Sequence, residues 1–187
     1  MGMRPDMRIL SNRGMTMIEL LVTLSVLATL LAIGVPAFNQ FVVSSRLTAY
    51  SNDIFSALFL ARSEAIKRNG RVVLCKSADG QACASAGDWS QGWIVFADPN
   101  NNADRDAGEP IVHTMSALQN GYALDGNSLI SSYVSYDSQG MTQQTSGAFQ
   151  TGTFTLCPPP PAASGQGWEV VVSASGRPRA SKITSCS

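Results

Sequence analysis

The sequence contains one histidine, His113, and four cysteines, no two of which form a Cys-x-x-Cys pair. Zinc sites usually combine several such ligands at close spacing, so this composition argues against a zinc site. A glycine-rich phosphate loop and a nucleophile elbow are also missing, and a structural role suits His113 better than acid–base chemistry. We therefore predict no catalytic activity, no metal and no cofactor.

Charged residues are scarce, because they make up only 14% of the chain, and 13 basic residues balance 13 acidic ones. A neutral protein has no overall field that attracts nucleic acid. Any affinity for nucleic acid therefore has to come from a local cluster of cations.

What the chain has instead is a long apolar run near its N-terminus. Residues 20–35 carry no charge. A helix over residues 15–35 would be about 31 Å long, which matches the hydrocarbon core of a bilayer. A secretory signal would have a shorter apolar core followed by a small-residue cleavage site, so we interpret the run as a membrane-spanning helix. The basic residues that precede it, Arg4, Arg8 and Arg13, favour a cytoplasmic location for that end.

One acid, Glu19, lies at the start of the apolar run. A carboxylate in a membrane segment is costly, which indicates a functional role, and a simple anchor would leave it unpaired in lipid. Residues 13–19, RGMTMIE, resemble the N-terminus of the type IV pilin family. In that family prepilin peptidase cuts after the glycine, the new N-terminus is methylated, and the acid at the fifth mature position serves in assembly.

The resemblance implies a leader peptide over residues 1–14, cleavage between Gly14 and Met15, N-methylation of Met15 and an assembly role for Glu19. The family usually has phenylalanine where this chain has Met15. Removal of the leader leaves 187 − 14 = 173 residues, with 10 basic and 12 acidic side chains and a net charge of −2.

Helical periodicity continues after Pro36. Apolar residues recur at three- and four-residue spacing, which is typical of an amphipathic helix. They are Phe38, Phe41, Val42, Leu47, Tyr50, Ile54, Phe55, Leu58, Phe59, Ala61, Ala65 and Ile66. We predict one helix from Met15 to about Arg68, with a transmembrane part over 15–36 and an amphipathic part over 37–70. It is bent or loosened at residues 34–36 and capped by Asn69 and Gly70.

The remainder, residues 71–187, reads as one globular β-rich domain. Strand-like segments separated by turn-forming clusters occur at residues 72–74, 92–97, 110–113, 132–136, 152–157 and 168–173. We predict an α+β fold in which the long helix lays its apolar face on an antiparallel sheet. Trp89, Trp93 and Trp168 are interpreted as core or sheet residues.

Four cysteines, all in this domain, allow three pairings. The spacing favours Cys75 with Cys83, which closes a short loop, and Cys157 with Cys186, which ties the C-terminal tail to a strand. The loop-closure relation assigns these bonds roughly 2.6 and roughly 3.6 kcal/mol.

The segment 98–109 alternates oxygen-bearing side chains and ends in Glu109, as calcium loops do. Such a loop needs glycine at its sixth position, where this chain has Ala103, and Arg105 places a cation among the carboxylates. We therefore interpret the segment as a solvated hairpin loop between two strands.

Several motifs after the first helix resemble the GspH/FimT group, which comprises minor pilins of type IV pili and minor pseudopilins of type II secretion. They are ARSEA at 61–65, VLC at 73–75, DWSQGWIVF at 88–96 and VV at 171–172 leading to GR at 176–177. The resemblance implies a type IV pilin fold. It also implies a minor pilin that supports pilus assembly or priming, with a structural type II secretion pseudopilin as the alternative.

Residues 176–182, GRPRASK, form the only acid-free basic cluster of the mature domain. Arginine suits phosphates because its planar fork makes paired hydrogen bonds. In FimT-type minor pilins a Gly-Arg-x-Arg motif in this region is associated with DNA binding. The resemblance implies contacts from Arg177, Arg179 and Lys182 to double-stranded DNA. The competing interpretation is that these cations cover the surface or contact a neighbouring pilin.

The family resemblance also implies partners and a location. Partners would be major and minor pilins, prepilin peptidase and the inner-membrane assembly platform. The protein would span the inner membrane once, with its C-terminal domain in the periplasm, and would then enter an extracellular filament.

Overall fold

One long helix precedes eight strands in the computed structural model, which describes residues 14–119, 121–127, 129–160 and 166–186. The helix α1 spans Met17–Arg68, and a short 3-10 helix spans Trp89–Gln91. The strands are β1 (Val72–Lys76), β2 (Gly92–Ala97), β3 (Ile111–Ser116), β4 (Ala123–Gly126), β5 (Tyr133–Tyr136), β6 (Gly152–Cys157), β7 (Gly167–Val172) and β8 (Pro178–Ile183).

The chain divides into a first unit that ends at Phe41 and a second unit that begins at Val42. In the first unit α1 begins at Met17, two residues later than expected, and continues through Gly34 and Pro36 without interruption. Every described residue of this unit is exposed. Exposed apolar side chains therefore lie on all sides of the helix, which differs from the one-sided pattern of a helix packed on a protein core.

In the second unit α1 buries one face. Leu47, Ile54, Leu58, Ala61 and Ala65 follow helical spacing, and each is almost completely excluded from solvent. These side chains pack with inward residues of both sheets into a single main core.

The helix ends as the sequence predicts, at Asn69 and Gly70. Asn69 adopts a left-handed conformation with φ of 49°. The amide of Asn69 donates to the Ile66 carbonyl at 3.2 Å, and the amide of Gly70 donates to the Ala65 carbonyl at 3.1 Å. This pair of bonds is a Schellman motif, which satisfies carbonyls that the helix end would otherwise leave open.

The strands form two four-stranded antiparallel sheets. The first sheet has the order β3-β2-β1-β5 and the second has the order β4-β6-β7-β8. The α+β prediction of a long helix with antiparallel sheet structure is confirmed. The largest side chains of the core, such as Trp89, Trp93, Tyr136 and Phe154, are fully buried.

A second, smaller apolar cluster lies on the outer face of the first sheet. It contains Val73, Cys75, Ile94, Phe96 and Ala103. All five residues of β1 are buried, so both faces of this strand are covered. This explains why β1 shows a continuous apolar run rather than an alternating pattern.

Two strands were missing from the sequence prediction, β4 and β8. Both lie at the ends of the second sheet, where a strand pairs on one side only. Their sequences, ALDG and PRASKI, contain few of the β-branched and aromatic residues that mark strands. They adopt strand geometry because their neighbours β6 and β7 offer backbone partners.

Candidate functional site

The predicted cleavage position lies at the beginning of the described residues. Gly14 and Met15 are both exposed, and the basic residues Arg4, Arg8 and Arg13 lie outside the described part. Thr16 occupies the N-cap position, one residue before α1. The backbone around the predicted cut is therefore outside the helix and open to solvent.

Glu19 has a local partner that the sequence interpretation overlooked. Its amide donates to Thr16 Oγ1 at 3.3 Å, and its Oε2 accepts from the Thr16 amide at 3.5 Å. This arrangement is a capping box, in which each side chain satisfies a backbone donor of the first helical turn. The lone chain therefore gives the Glu19 carboxylate one backbone hydrogen-bond donor, whereas its charge has no ionic partner among the described residues. The Thr-x-x-Glu spacing in the sequence was the signal.

The apolar surface of the first unit is continuous. Leu20, Leu24, Leu27 and Leu31 are each about half exposed, and no charged residue follows Glu19 until Arg46. By length and composition, α1 is suited to cross a membrane.

At the other end of the chain, a tight turn connects β7 to β8. Gly176 has φ of +72°, and a Cβ atom at this position would collide with the carbonyl oxygen of Gly140. Thr142 fastens the same turn, because its amide donates to the Ala174 carbonyl at 3.2 Å and its hydroxyl donates to the Ser173 carbonyl at 2.9 Å. The turn that precedes the predicted DNA-binding arginines is therefore held against the segment after β5.

The three predicted DNA-binding cations do not share one face. Arg179 pairs with Val171 across β7, and Lys182 pairs with Trp168. Successive side chains of a strand alternate between its faces, so Arg179 and Lys182 project from opposite sides of β8. The Lys182 ammonium lies 5.6 Å from the centre of the Trp168 ring, a cation–π contact.

Arg177 and Arg179 are exposed. Within the described part of the chain, neither guanidinium group forms an ion pair, since the ion pairs there join Glu64 to Lys67 and Arg68. Arg177 precedes β8 by one residue, and Gly176 positions it. Arg177 and Arg179 are thus two residues apart at the start of β8, and Lys182 projects from the face opposite to that of Arg179.

Acids occupy the same face of the second sheet as Arg179. Glu169 pairs with Ser181 and Thr155, and Thr155 in turn pairs with Asp125, so the four strands form one polar row. Burial, and then the nearby Asp88, raise the pKa of Asp125. An anion that approaches this face is therefore attracted by Arg179 on the end strand β8. It is repelled by Glu169 on β7 and by Asp125 on β4.

Both disulfides connect the cysteines that the spacing favours. Cys75 is bonded to Cys83 with a Cα–Cα distance of 5.6 Å, and Cys157 is bonded to Cys186 with a Cα–Cα distance of 5.8 Å. The second bond fastens the segment after β8 to the last residue of β6. Together with the Gly176 turn, it holds β8 at both ends.

The loop 98–109 connects β2 to β3 as expected, but it is less solvated than the sequence suggested. Asp98 is fully buried, and its carboxylate accepts hydrogen bonds from the amides of Asn102 and Ala103. Arg105 donates two hydrogen bonds to the Glu109 carbonyl, at 3.1 and 3.2 Å. The loop folds back because Ala103 covers the small apolar cluster on the first sheet.

Asp106 accepts from the side-chain amides of Asn100 and Asn102, at 2.8 Å each, and these bonds lower the pKa of its carboxyl group. The carboxylates of Asp98 and Asp106, which resembled calcium ligands, are thus engaged with the loop's own donors. Over the described residues, no three His, Cys, Asp or Glu side chains lie close enough together to hold a metal ion. His113 is exposed on β3, whereas Trp89 and Trp93 belong to the core and Trp168 is partly buried.

Two protein families match the sequence. The family described as type II transport protein GspH matches residues 51–176, which is about two thirds of the chain. The prokaryotic N-terminal methylation motif matches residues 9–35. The first match ends immediately before Arg177. No curated protein matches the chain significantly.

Solved structures with a similar fold include the type IV minor pilin FimU of Pseudomonas aeruginosa. It is 15% identical, with a TM-score of 0.53 over 75% of this chain and 92% of that chain. A second crystal form of FimU gives 15% identity and a TM-score of 0.53, over 72% and 91%. The minor pseudopilin EpsH of the Vibrio cholerae type 2 secretion system is 13% identical, with a TM-score of 0.48 over 73% and 96%. At these identities the similarity concerns the fold alone.

Proposed function

Because this chain belongs to the family of type II transport protein GspH, we propose that it is a minor pilin, a membrane-anchored subunit that joins a type IV pilus and supports its assembly or priming. The observation that carries the proposal is the first unit. It combines a match to the N-terminal methylation motif with a helix whose surface is exposed on every side and, over residues 20–35, uncharged and predominantly apolar. Such a surface needs lipid or neighbouring helices around it.

The proposed maturation follows from the motif. Prepilin peptidase would cut between Gly14 and Met15, and Met15 would then be N-methylated. The C-terminal domain would face the periplasm until the inner-membrane assembly platform delivers the subunit to a filament of major and minor pilins. In that filament the Glu19 carboxylate would neutralise the positive charge on the N-terminal amine of a neighbouring subunit. It would then give up its hydrogen bond with the Thr16 amide.

Incorporation into filaments tests the proposal. We would express the wild type, Glu19→Gln and Glu19→Asp from the native locus, shear the surface filaments and quantify the subunit by immunoblot. We expect Glu19→Gln to reduce the amount in filaments at least tenfold while the membrane pool stays intact, and Glu19→Asp to retain a larger share. Normal incorporation of Glu19→Gln would contradict the assigned assembly role.

A type II secretion pseudopilin is the alternative, because the matching family carries a type II transport description. The two functions use the same anchored helix and differ in the machine that the subunit joins. A deletion strain separates them. Loss of surface pili and of twitching motility with normal exoprotein secretion supports the pilus, and the opposite result supports secretion.

DNA binding for natural transformation is a second proposed function. It is favoured by the two exposed arginines, Arg177 and Arg179, at the free edge of the second sheet, where they have no ion-pair partner among the described residues. Guanidinium groups in this state are available for phosphate oxygens. The contact would be independent of base sequence, since phosphate contacts carry no sequence information directly.

A further inference from the structure

Three loops meet on the outer face of the first sheet. They are residues 77–88, residues 98–109 and the hairpin 142–150. The disulfide between Cys75 and Cys83 joins the first of these loops to β1. Loops that converge on a rigid sheet are a common location for binding sites.

Hydrogen bonds between the loops fix their relative positions. Arg105 Nη1 donates to the Gln81 carbonyl at 3.5 Å, which links the first two loops. Asn101 Nδ2 donates to the Thr145 carbonyl at 3.2 Å, which links the second loop to the hairpin. The Thr145 amide donates to the Tyr133 hydroxyl at 3.4 Å, which links the hairpin to β5.

A cleft of about 360 Å³ is lined by residues of the first two loops and by Cys75, Ser132 and Tyr133 of the first sheet and its margin, and we refer to it as the three-loop cleft. The hairpin 142–150 does not line the cleft, but it contacts Tyr133 through Thr145. Apolar and polar groups both line it. The apolar surface comes from the disulfide and the Tyr133 side chain, and the polar surface comes from Ser85, Asp104 and Ser132. Such a volume is large enough for a small ring-shaped molecule.

The polar groups of the cleft are available to a ligand. In the described part of the chain the hydroxyls of Ser85 and Ser132 and the carboxylate of Asp104 make no hydrogen bond to protein, whereas the Asn102 amide group is already bonded to Asp106 and Asp104. Two hydroxyls and one carboxylate therefore face solvent at the rim.

The charges that line the cleft restrict the ligand's chemistry. No lysine, arginine or histidine lines it, so an anion such as a phosphate or carboxylate would find only the repulsive Asp104. A single carboxylate is also a poor site for calcium, which takes six to eight oxygen ligands. A neutral molecule with hydroxyl groups and one apolar face fits this lining.

We propose that the three-loop cleft binds a pyranose sugar. The C–H face of the sugar ring packs on the disulfide and Tyr133, and the ring hydroxyls donate to Asp104 and exchange hydrogen bonds with Ser85 and Ser132. Few atoms make contact, so a single sugar binds in the millimolar range.

Saturation-transfer difference NMR tests the proposal on the full chain, purified in dodecyl dimethylamine oxide because this detergent has no sugar headgroup. The probes are the methyl glycosides of glucose, galactose and N-acetylglucosamine, with glycerol as a control. The variants are Asp104→Ala, Ser85→Trp, which fills the cleft, and Asp125→Ala, a matched exposed acid on the second sheet. Far-UV circular dichroism verifies the fold of each variant.

We expect at least one glycoside to receive saturation mainly at its ring C–H protons, while glycerol receives none. Asp104→Ala should weaken the signal at least fivefold, Ser85→Trp should abolish it, and Asp125→Ala should leave it unchanged. The proposal is overturned if no glycoside gives a signal, or if the signal persists in both cleft variants.

Discussion

Arg179 and Lys182 project from opposite faces of β8, because Arg179 pairs with Val171 and Lys182 pairs with Trp168 across β7. In the sequence these cations belong to one short basic cluster. In the fold the alternation of side chains along β8 places these cations on two faces of the sheet. The proposed DNA contact through Arg177 and Arg179 therefore excludes Lys182, and the first prediction tests this exclusion.

Replacing both Arg177 and Arg179 with alanine should abolish DNA retention by the purified protein, whereas Lys182→Ala should change it by less than about twofold. Two phosphate contacts give a slope of about −1.8 for log affinity against log salt, so affinity falls roughly twelvefold between 50 and 200 mM salt. Three contacts would give about −2.7 and a roughly fortyfold fall. Electrophoretic mobility shifts over a salt series measure the slope.

Lys182→Ala is the informative control for that series. If the slope of log affinity against log salt is shallower for Lys182→Ala than for the wild type by about 0.9, Lys182 also contacts a phosphate. DNA would then contact both faces of β8, which contradicts the prediction. Transformation and twitching assays of the double variant show whether the arginines serve DNA uptake or only filament structure.

Gly176→Ala should destabilise the second unit, because its φ of +72° disfavours a side chain and the added Cβ collides with the Gly140 carbonyl. Gly147→Ala is the matched control, since its φ of +88° carries the same backbone cost but a Cβ there meets open space. We expect Gly176→Ala to lower the free energy of unfolding by about 1–3 kcal/mol more than the control. Urea denaturation followed by tryptophan fluorescence measures the difference. Equal losses would mean that the turn relaxes away from Gly140.

Removing the bond between Cys157 and Cys186 with two serines should lower the free energy of unfolding by roughly 3.6 kcal/mol. The bond spans 29 residues, whereas the bond between Cys75 and Cys83 spans eight and contributes roughly 2.6 kcal/mol by the same relation. Cys75 is buried, so a serine there adds a desolvation cost. Reduction of the wild type breaks both bonds without this cost, so comparing oxidised and reduced wild type in urea measures the sum of the two effects.

Acid should loosen the loop 98–109 through Asp106. The amides of Asn100 and Asn102 lower the pKa of this carboxyl group in the folded state. Its stabilising contribution is therefore complete above the ordinary value of 3.8 and is lost as the pH falls through the lower, folded-state pKa. We expect the side-chain amide signals of both asparagines to shift in NMR spectra with a midpoint below 3.8. Asp106→Asn should remove this titration, and a midpoint above 3.8 would contradict the assigned hydrogen bonds.

Much of the fold was predictable from apolar spacing. Apolar residues at helical spacing predicted the buried face of α1, and apolar runs between turn-forming residues predicted the strands of the first sheet. The Asn-Gly pair predicted the helix cap at Asn69. The strands β4 and β8 were not predictable, because their sequences ALDG and PRASKI contain few of the β-branched and aromatic residues that mark strands. The division of the eight strands into two sheets was not predictable either, because it depends on pairing between segments that are far apart in the sequence. Local sequence patterns do not indicate such pairing.

The site was predictable in composition but not in arrangement. The basic residues near the C-terminus were visible, but their distribution over two faces required the knowledge that residues 178–183 form a strand. Thr16 is the opposite case, since the Thr-x-x-Glu spacing that marks a capping box is present in the sequence itself.

The fastening of β8 at both ends has a mechanical consequence. An end strand of a sheet ordinarily peels away one hydrogen bond at a time when its free end is pulled. Here tension applied at the C-terminus passes through the sulfur–sulfur bond into β6, an interior strand of the sheet. Because β6 pairs with both β4 and β7, the load is then shared by two hydrogen-bond ladders instead of acting on the ladder between β7 and β8 alone.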